Sequence, residues 1–209
     1  MRGTKYFLHA AVTILPFYGN LLQRLIINML VAELSDEKIM LRVKEGYLSE
    51  LTELFDRYHV RLYNFFLKLT FDKNTSEDLT QTLFYRIIKY RHSYKATDSS
   101  FKSWIYQVAR NVHIDFCREN KRLNEHFKKV DEMHEEIPGH SDTYSEIDFE
   151  NLDRALAGLA PDDRELLVLS RYQGLKYEEI SRIKNISVPA IKVQVHRAMK
   201  RLRAIYFKQ

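Results

Sequence analysis

The sequence is poor in the residues that interrupt or cross-link a chain. Of its 209 residues, six are glycine, four are proline and one, Cys117, is cysteine. A single cysteine cannot form an internal disulfide or supply the ligands of a zinc knuckle, so it excludes both and favours a reducing cytoplasm. Few breakers, together with long leucine and aromatic periodicities, predict an all-α protein.

Acidic residues are missing from the last part of the chain. No Asp or Glu occurs from Ile180 to Gln209. The basic residues of the same stretch are Arg182, Lys184, Lys192, Arg197, Lys200, Arg201, Arg203 and Lys208. The whole chain has a net charge of +5 and a pI of about 9.1, which permits a nucleic-acid partner without proving one.

A two-faced helix is predicted within Ile186–Arg203. Ser187 suits a helix N-cap, and Pro189 falls in the first turn, where no backbone N–H is lost. The residues with apolar helical spacing are Ile191, Val195, Ala198 and Leu202. The residues of the neighbouring polar face are Lys192, His196, Lys200 and Arg203. One side therefore suits a core and the other a polyanion, although a merely solvated basic face is the alternative.

The residues before this helix complete a helix-turn-helix pattern. Lys176–Ile183 is predicted as a short helix, and Asn185 tolerates the left-handed conformation of a tight turn. Pro161 begins a further helix, and Leu152, Leu156 and Leu159 mark a fourth. The predicted core residues are Leu156, Leu166, Leu169, Ile180, Ile183, Ile191 and Val195. A second helix after a short turn is the arrangement that enters the DNA major groove.

An acidic segment separates this module from the front half. Asp131–Glu150 has no Lys or Arg and contains a Pro138-Gly139 break, so we expect a flexible linker. The histidines in or near it, His126, His134 and His140, match no compact metal site. We expect neither a metal nor a cofactor. The fold class is therefore two small helical domains joined by a flexible acidic linker, with a four-helix helix-turn-helix domain at the C-terminus.

The front half contains two segments with informative outer faces. Within Thr75–Tyr90, the residues expected to point outward are Asp78, Gln81, Thr82, Tyr85 and Lys89. Such a face meets water or docks a partner protein. Phe101–Arg122 combines Phe101, Trp104 and Tyr106 with nearby cations. Exposed aromatics mixed with cations suit single-stranded nucleic acid, whereas the alternative is that these aromatics belong to the core.

Four sequence blocks together resemble the extracytoplasmic-function (ECF) group of bacterial RNA polymerase sigma factors, in the sigma-70 family. These blocks are Leu54–Tyr58, Asp78–Phe84, Phe101–Asn111, and Leu175–Ile180 with Ile186–Arg203. The resemblance implies two helical domains, region 2 over 29–125 and region 4 over 149–209, with a linker over 126–148. It implies a cytoplasmic, non-enzymatic factor that directs promoter-specific transcription initiation by core polymerase.

The resemblance also assigns roles to individual residues. The contacts implied with the clamp helices of the largest polymerase subunit are Asp78, Gln81, Thr82, Tyr85 and Arg86. The residues implied in recognising and melting the −10 element are Lys95, Ser99, Phe101, Lys102, Trp104, Tyr106, Gln107, Arg110, Asn111, Arg118 and Lys121. Those implied at the −35 element are Ser187, Pro189, Ala190, Lys192, Val193, His196, Arg197, Lys200 and Arg201. Further implied partners are the polymerase flap, promoter DNA and an anti-sigma factor, with no small-molecule substrate.

Two alternatives and two departures stand beside this interpretation. A free-standing helix-turn-helix regulator is the first alternative; an enzyme is the second, disfavoured because no phosphate loop, nucleophile motif or metal constellation is found. Lys176 replaces a usual Ser or Thr cap, and Pro189-Ala190 replaces a frequent Gly-Thr pair. Residues 1–28 have no counterpart in the family and no acidic residue. A signal or anchor segment and a mis-assigned start at Met29 both remain open for them, and we expect poor order or loose packing.

Overall fold

A computed structural model describes residues 34–96, 100–128 and 147–208 of the chain. Every regular element within these ranges is helical, which confirms the predicted all-α fold class. The chain divides into one compact unit over Met1–Arg57 and another over Tyr58–Gln209. The predicted behaviour of 1–28 and most of the predicted linker lie outside the described residues. No helix in the described ranges has the length and apolar character needed to cross a membrane.

The described part of the first unit is a short helix followed by the start of a long one. Helix α1 spans Asp36–Glu45, and Gly46, at φ 110°, ends it. A 3₁₀ turn over Leu48–Glu50 leads into α2, Leu51–Thr70, which continues into the second unit. Arg42 Nε donates to Glu50 Oε1 over 2.7 Å, which ties the turn back to α1.

The second unit begins with three helices that we call the front helices, α2 to α4. Helix α3 spans Lys73–Lys89, and Asp72 caps it by accepting a hydrogen bond from the Thr75 N–H over 2.6 Å. This cap starts the helix two residues before the predicted Thr75, because the carboxylate reaches the free N–H groups of the first turn. Helix α4 spans Phe101–Lys128 and so extends past residue 125, where the predicted linker begins.

Four further helices, which we call the rear helices, follow the linker. They are α5 over Ile147–Ala157, α6 over Pro161–Leu167, α7 over Tyr177–Lys184 and α8 over Val188–Tyr206. All seven residues predicted for their core are buried. A π-helical segment, Val168–Tyr172, extends α6, and Gly174, at φ 60°, ends it.

Arg164 joins the ends of helices from both sets. Its Nη1 donates to the Leu69 carbonyl near the end of α2 over 3.0 Å, and its Nε donates to the Leu156 carbonyl of α5 over 3.0 Å. Its Nη2 donates to the carbonyls of Ala157 and Leu159. Leu69, Leu156 and Ala157 lie in the last turns of α2 and α5, where carbonyls have no partner within the helix, so the guanidinium supplies donors there. Burial lowers the pKa of Arg164 from its usual range.

Candidate nucleic-acid interface

The turn between α7 and α8 is fixed by local hydrogen bonds. Asn185 ends α7 in the left-handed conformation, at φ 54° and ψ 45°, as predicted. The Ser181 hydroxyl donates to the Ile186 carbonyl over 2.5 Å, which closes the turn. Ser187 then caps α8, because its Oγ accepts from the Ala190 N–H over 3.4 Å. The predicted helix-turn-helix geometry is therefore confirmed.

Helix α7 begins without a Ser or Thr cap. Glu179 Oε2 accepts a hydrogen bond from the Lys176 N–H over 2.8 Å. This contact is one half of a capping box. The other half, a side-chain acceptor for the N–H groups of the first turn, is missing, because the lysine side chain has no acceptor atom.

Helix α8 turns one face to the core and presents the other to solvent. The buried face of α8 consists of Ile191, Val195, Ala198 and Leu202. The exposed residues among those implied at the −35 element are Ser187, Pro189, Lys192, Val193, His196, Arg197, Lys200 and Arg201. Ala190 is half-buried. The outer face thus combines cations, an imidazole and a small apolar side chain, and these groups contact phosphates and base edges in the major groove.

Two grooves on opposite flanks of α8 differ in charge. One has a volume of about 640 Å³ and is lined by Arg171, Tyr177, Lys192, Val195, His196, Met199, Lys200 and Arg203. The other, of about 410 Å³, is lined by Asp162, Asp163, Leu166, Lys184, Ile186, Gln194, Arg197 and Arg201. The first lining contains no acidic residue, whereas Asp163 pairs with Arg201 in the second. The first flank therefore has the stronger attraction for a polyanion.

The implied −10 residues fall into two groups on α4 and the turn before it. Those exposed to solvent are Lys95, Gln107, Asn111, Arg118 and Lys121. Gln107, Asn111 and Arg118 recur at helical spacing and therefore share one face of α4. Ser99 lies outside the described residues.

The expectation that Phe101, Trp104 and Tyr106 present exposed aromatic faces is wrong. Phe101 and Tyr106 are fully buried, and Trp104 is only 9% exposed. The Phe101 ring centroid lies 5.3 Å from that of Tyr58 and 6.0 Å from that of Tyr94, so it belongs to the aromatic core of the front helices. Sequence spacing could not separate this core face from an exposed one, because cations flank both.

A stripe along α4 faces the rear helices instead of solvent. Lys102 Nζ donates to the Gln173 carbonyl over 2.8 Å, and the Tyr106 hydroxyl donates to Gln173 Oε1 over 2.5 Å. Arg110 Nε lies 3.0 Å from Glu165 Oε1. Burial raises the pKa of Tyr106 well above its ordinary value, so the phenol stays a neutral donor.

His113 and Cys117 lie one and two turns further along α4, where His113 is half-buried and Cys117 is exposed. Burial lowers the pKa of His113, and the Glu165 carboxylate partly opposes that shift. Burial raises the pKa of the Cys117 thiol, and Glu165 adds to the effect. A thiol that stays protonated is a poor nucleophile. Among the described residues, no group of three His, Cys, Asp or Glu side chains could hold a metal ion.

The face of α3 implied in polymerase binding is open. Asp78, Gln81, Thr82 and Tyr85 are all exposed, Tyr85 to 63%. Arg86 is half-buried, because its Nη1 lies 2.6 Å from Asp115 Oδ2 on α4. The predicted outward orientation is confirmed for the first four and for Lys89, which is also exposed. Arg86 joins α3 to α4.

Several residues of these surfaces were not identified from the sequence. Arg171 and Tyr177 line the basic groove beside α8. Glu165, Gln173 and Glu179 meet the stripe on α4 and the turn before it. No spacing rule links them to α4, since Gln173 lies 67 residues from Tyr106 along the chain.

Comparison with known proteins decides the family. The sigma-70 region 2 family matches residues 54–123, and the sigma-70 region 4 family matches residues 149–202. The ECF RNA polymerase sigma factor SigM of Bacillus subtilis is 33% identical over 75% of this chain and 94% of its own length. The chain belongs to the ECF sigma factors.

One more relative is a sigma factor, and two solved structures share the fold. The RNA polymerase sigma factor CarQ of Myxococcus xanthus is 28% identical over 79% of this sigma factor and 94% of its own length. The sigma factor RpoE of Bartonella quintana, solved in complex with the anti-sigma factor NepR, shares the fold at a TM-score of 0.64, with 24% identity over 75% of this chain and 96% of that chain. CnrH, solved with the cytosolic domain of CnrY, shares it at 0.63, with 18% identity over 83% and 98%.

Membership of this family makes the protein an RNA polymerase sigma factor, which directs transcription initiation at promoters. A free-standing helix-turn-helix regulator is not favoured, because both sigma regions are present in order. The front helices therefore correspond to region 2 and the rear helices to region 4.

Proposed function

We propose that α8 of this sigma factor reads the −35 element. The observation that carries the proposal is the exposed face of α8. Its cations lie on the side of the helix opposite the buried apolar residues, beside a groove whose lining contains no acidic residue. Lys and Arg provide phosphate contacts and register, whereas Lys192, Val193, His196 and Arg197 lie where base edges would be met.

The −10 element is assigned to α4 in the same proposal. Gln107, Asn111, Arg118 and Lys121 form its exposed part, and Lys102, Tyr106 and Arg110 form a covered part beside it. Amide and guanidinium groups at this spacing suit an unpaired strand, because they bind both base edges and phosphates. Phe101 and Trp104 support this surface from the core, and melting requires no catalytic group.

Polymerase docking is assigned to the exposed face of α3. We assign region 2 to 29–125, the linker to 126–148 and region 4 to 149–209, and the matches over 54–123 and 149–202 support these bounds. The protein acts in the cytoplasm without enzymatic activity of its own. An anti-sigma factor would hold it inactive by covering these surfaces.

Run-off transcription with core polymerase on a fragmented genome tests the proposal. Promoters found in this way should become reactive to permanganate at unpaired thymines near −10 only when the sigma factor is present. Alanine variants of Gln107, Asn111 and Arg118 should lose that reactivity while retaining −35 protection in footprints. If melting survives all three changes, the −10 surface is wrongly placed.

A further inference from the structure

An exposed tyrosine, Tyr90, ends helix α3 at the turn that leads to α4. Its side chain belongs to a residue that is 49% exposed. The aromatic residues expected at the −10 element, Phe101, Trp104 and Tyr106, are buried instead. We infer that Tyr90 is the residue on which an unpaired base of the promoter strand stacks. The inference rests on the proposed binding of that strand along α4.

Two contacts fix the level of Tyr90 along α4. Arg86 Nη1 of α3 lies 2.6 Å from Asp115 Oδ2 of α4. After the turn, the Tyr94 ring centroid lies 5.3 Å from that of Trp104, near the start of α4. The chain from Arg86 to Tyr94 therefore runs antiparallel to α4. Tyr90 is midway in this stretch, so we place it level with the middle of the α4 segment between those two contacts.

That segment of α4 carries part of the proposed −10 surface, because it contains the exposed Gln107 and Asn111. The Tyr90 N–H donates to the Arg86 carbonyl over 2.8 Å, so helical hydrogen bonding continues to Tyr90. Side chains four residues apart on a helix are neighbours on one face, and Arg86 faces α4. The Tyr90 ring thus lies on the side of α3 next to the proposed −10 surface.

The main chain at Tyr90 is held in place although the ring is exposed. Its carbonyl accepts from the Ser93 N–H over 2.9 Å and from the Ser93 hydroxyl over 2.7 Å. Four residues further on, Tyr94 is fully buried, and its ring centroid lies 6.0 Å from that of Phe101. A tyrosine has only two side-chain torsions, so on a fixed main chain it loses little conformational entropy when a base covers it.

Lysines on both sides of Tyr90 in the chain add positive charge. Lys89 Nζ lies 5.4 Å from the centre of the Tyr90 ring. Lys89 and Lys95 are exposed, and neither forms an ion pair with a carboxylate that the structure describes. From residue 89 to residue 102 the sequence has four Lys or Arg residues and one carboxylate, Asp98. An aromatic ring among cations suits a single-stranded nucleotide, because the base stacks and the phosphate pairs with the cations.

Binding of the holoenzyme to a single-stranded oligonucleotide tests the inference. The oligonucleotide carries the non-template strand of the −10 region from a promoter found by run-off transcription, and fluorescence anisotropy measures its affinity. Tyr90→Ala should weaken binding about tenfold, because stacking of one base on an aromatic side chain contributes on this order. Tyr90→Leu should lose as much, since leucine is apolar but has no π face. Tyr90→Phe should bind like the wild type.

Tyr47→Ala is the matched control. Tyr47 is also exposed, to 55%, and the Arg42 guanidinium lies 4.9 Å from the centre of its ring. It precedes the residues that match sigma-70 region 2, so its loss should leave oligonucleotide binding unchanged. Equal affinity of Tyr90→Ala and the wild type would overturn the inference. Equal losses in Tyr90→Ala and Tyr90→Phe would also overturn it, because they would assign the effect to the hydroxyl.

A scan with abasic sites identifies the stacked base. Each base of the oligonucleotide is removed in turn, and both the wild type and Tyr90→Ala are measured. At the stacked position, the abasic site should weaken wild-type binding about tenfold but leave Tyr90→Ala unchanged, because both changes remove the same contact. At every other position, the two proteins should respond equally. If no position shows this coupling, Tyr90 does not stack on a base.

Affinity for core polymerase without DNA separates a protein contact from a base contact. Tyr90→Ala should bind core polymerase like the wild type, and a loss there would assign the ring to the polymerase instead. Failure of the proposed −10 surface is distinguishable. Permanganate reactivity that survives the alanine variants of Gln107, Asn111 and Arg118 removes that surface. Weak oligonucleotide binding by those variants, with unchanged binding by Tyr90→Ala, removes only the stacking residue.

Discussion

The charged residues of α8 have different roles. Arg201 is engaged by Asp163 and so belongs partly to the region 4 fold, although its side chain is 60% exposed. Arg197 and Lys200 are exposed on the face opposite the buried stripe. They are the side chains most suited to long-range attraction of DNA, because they are exposed and lie outside the buried apolar stripe.

We expect the double change Arg197→Ala and Lys200→Ala to weaken promoter binding on the order of tenfold at physiological salt. The slope of log affinity against log salt should fall by about 0.9 for each phosphate that the variant no longer neutralises, since fewer counterions are released. Fluorescence anisotropy over a salt series measures both. Lys208→Ala, an exposed cation beyond the end of α8, is the matched control. An unchanged slope would show that this face does not meet phosphates.

The capping role and backbone conformation of single residues were predictable from the sequence. Burial of a side chain by a segment distant in the sequence was not. The cap at Ser187 and the left-handed Asn185 follow from the conformations that these residue types prefer, and both are found. The burial of Tyr106 depends on Gln173, which no periodicity connects to it. Exposure was therefore misjudged where tertiary packing decides it.

Apolar periodicity predicted the structure of α3 well but not that of the segment after α6. On α3 the apolar spacing correctly separated a buried face from an open one, and only the start was displaced by the Asp72 cap. After α6, the predicted α-helical pattern becomes a π-helical segment that ends before Gln173. A π-helical turn is a local change of register that α-helical spacing does not indicate, so the sequence pattern did not predict this one. Such turns often occur at functional sites.

The open face of α3 gives a prediction about docking. Asp78→Ala combined with Gln81→Ala should lower affinity for core polymerase on the order of tenfold, because a few residues supply most of the binding energy of an interface and truncating one typically costs more than about 1 kcal/mol. Thermal unfolding should be unchanged, since both side chains are exposed. Glu45→Ala, which removes an exposed carboxylate at the end of α1, serves as the control. Equal binding by both variants would move the docking site off this face.

At the scale of the whole molecule, pH affects the stability of the fold through His113. Burial lowers the pKa of this imidazole in the folded chain, while Arg164 and Arg110 add to the shift and Glu165 opposes it. In an unfolded chain the pKa of a histidine is about 6.5. The neutral imidazole therefore favours the folded state. That contribution is fully present above the unfolded-state pKa and is lost as pH falls through the lower, folded-state pKa.

The midpoint of thermal unfolding of the wild-type chain should therefore decrease as the pH falls from 7.5 to 5.5. His113→Gln keeps a polar side chain but cannot titrate, and it should remove most of the change in this range. Circular dichroism at each pH measures the midpoint for both proteins. A decrease that persists undiminished in His113→Gln would assign the effect to another group.

Arg164 has a consequence for how this protein tolerates sequence change. Its guanidinium binds main-chain carbonyls at Leu69, Leu156, Ala157 and Leu159, not their side chains. Every amino acid carries that carbonyl, so the acceptors survive substitution at all four positions wherever the backbone is retained. The junction can vary in sequence on the acceptor side, but it depends on one arginine, because lysine lacks a planar fork that reaches several helix ends at once.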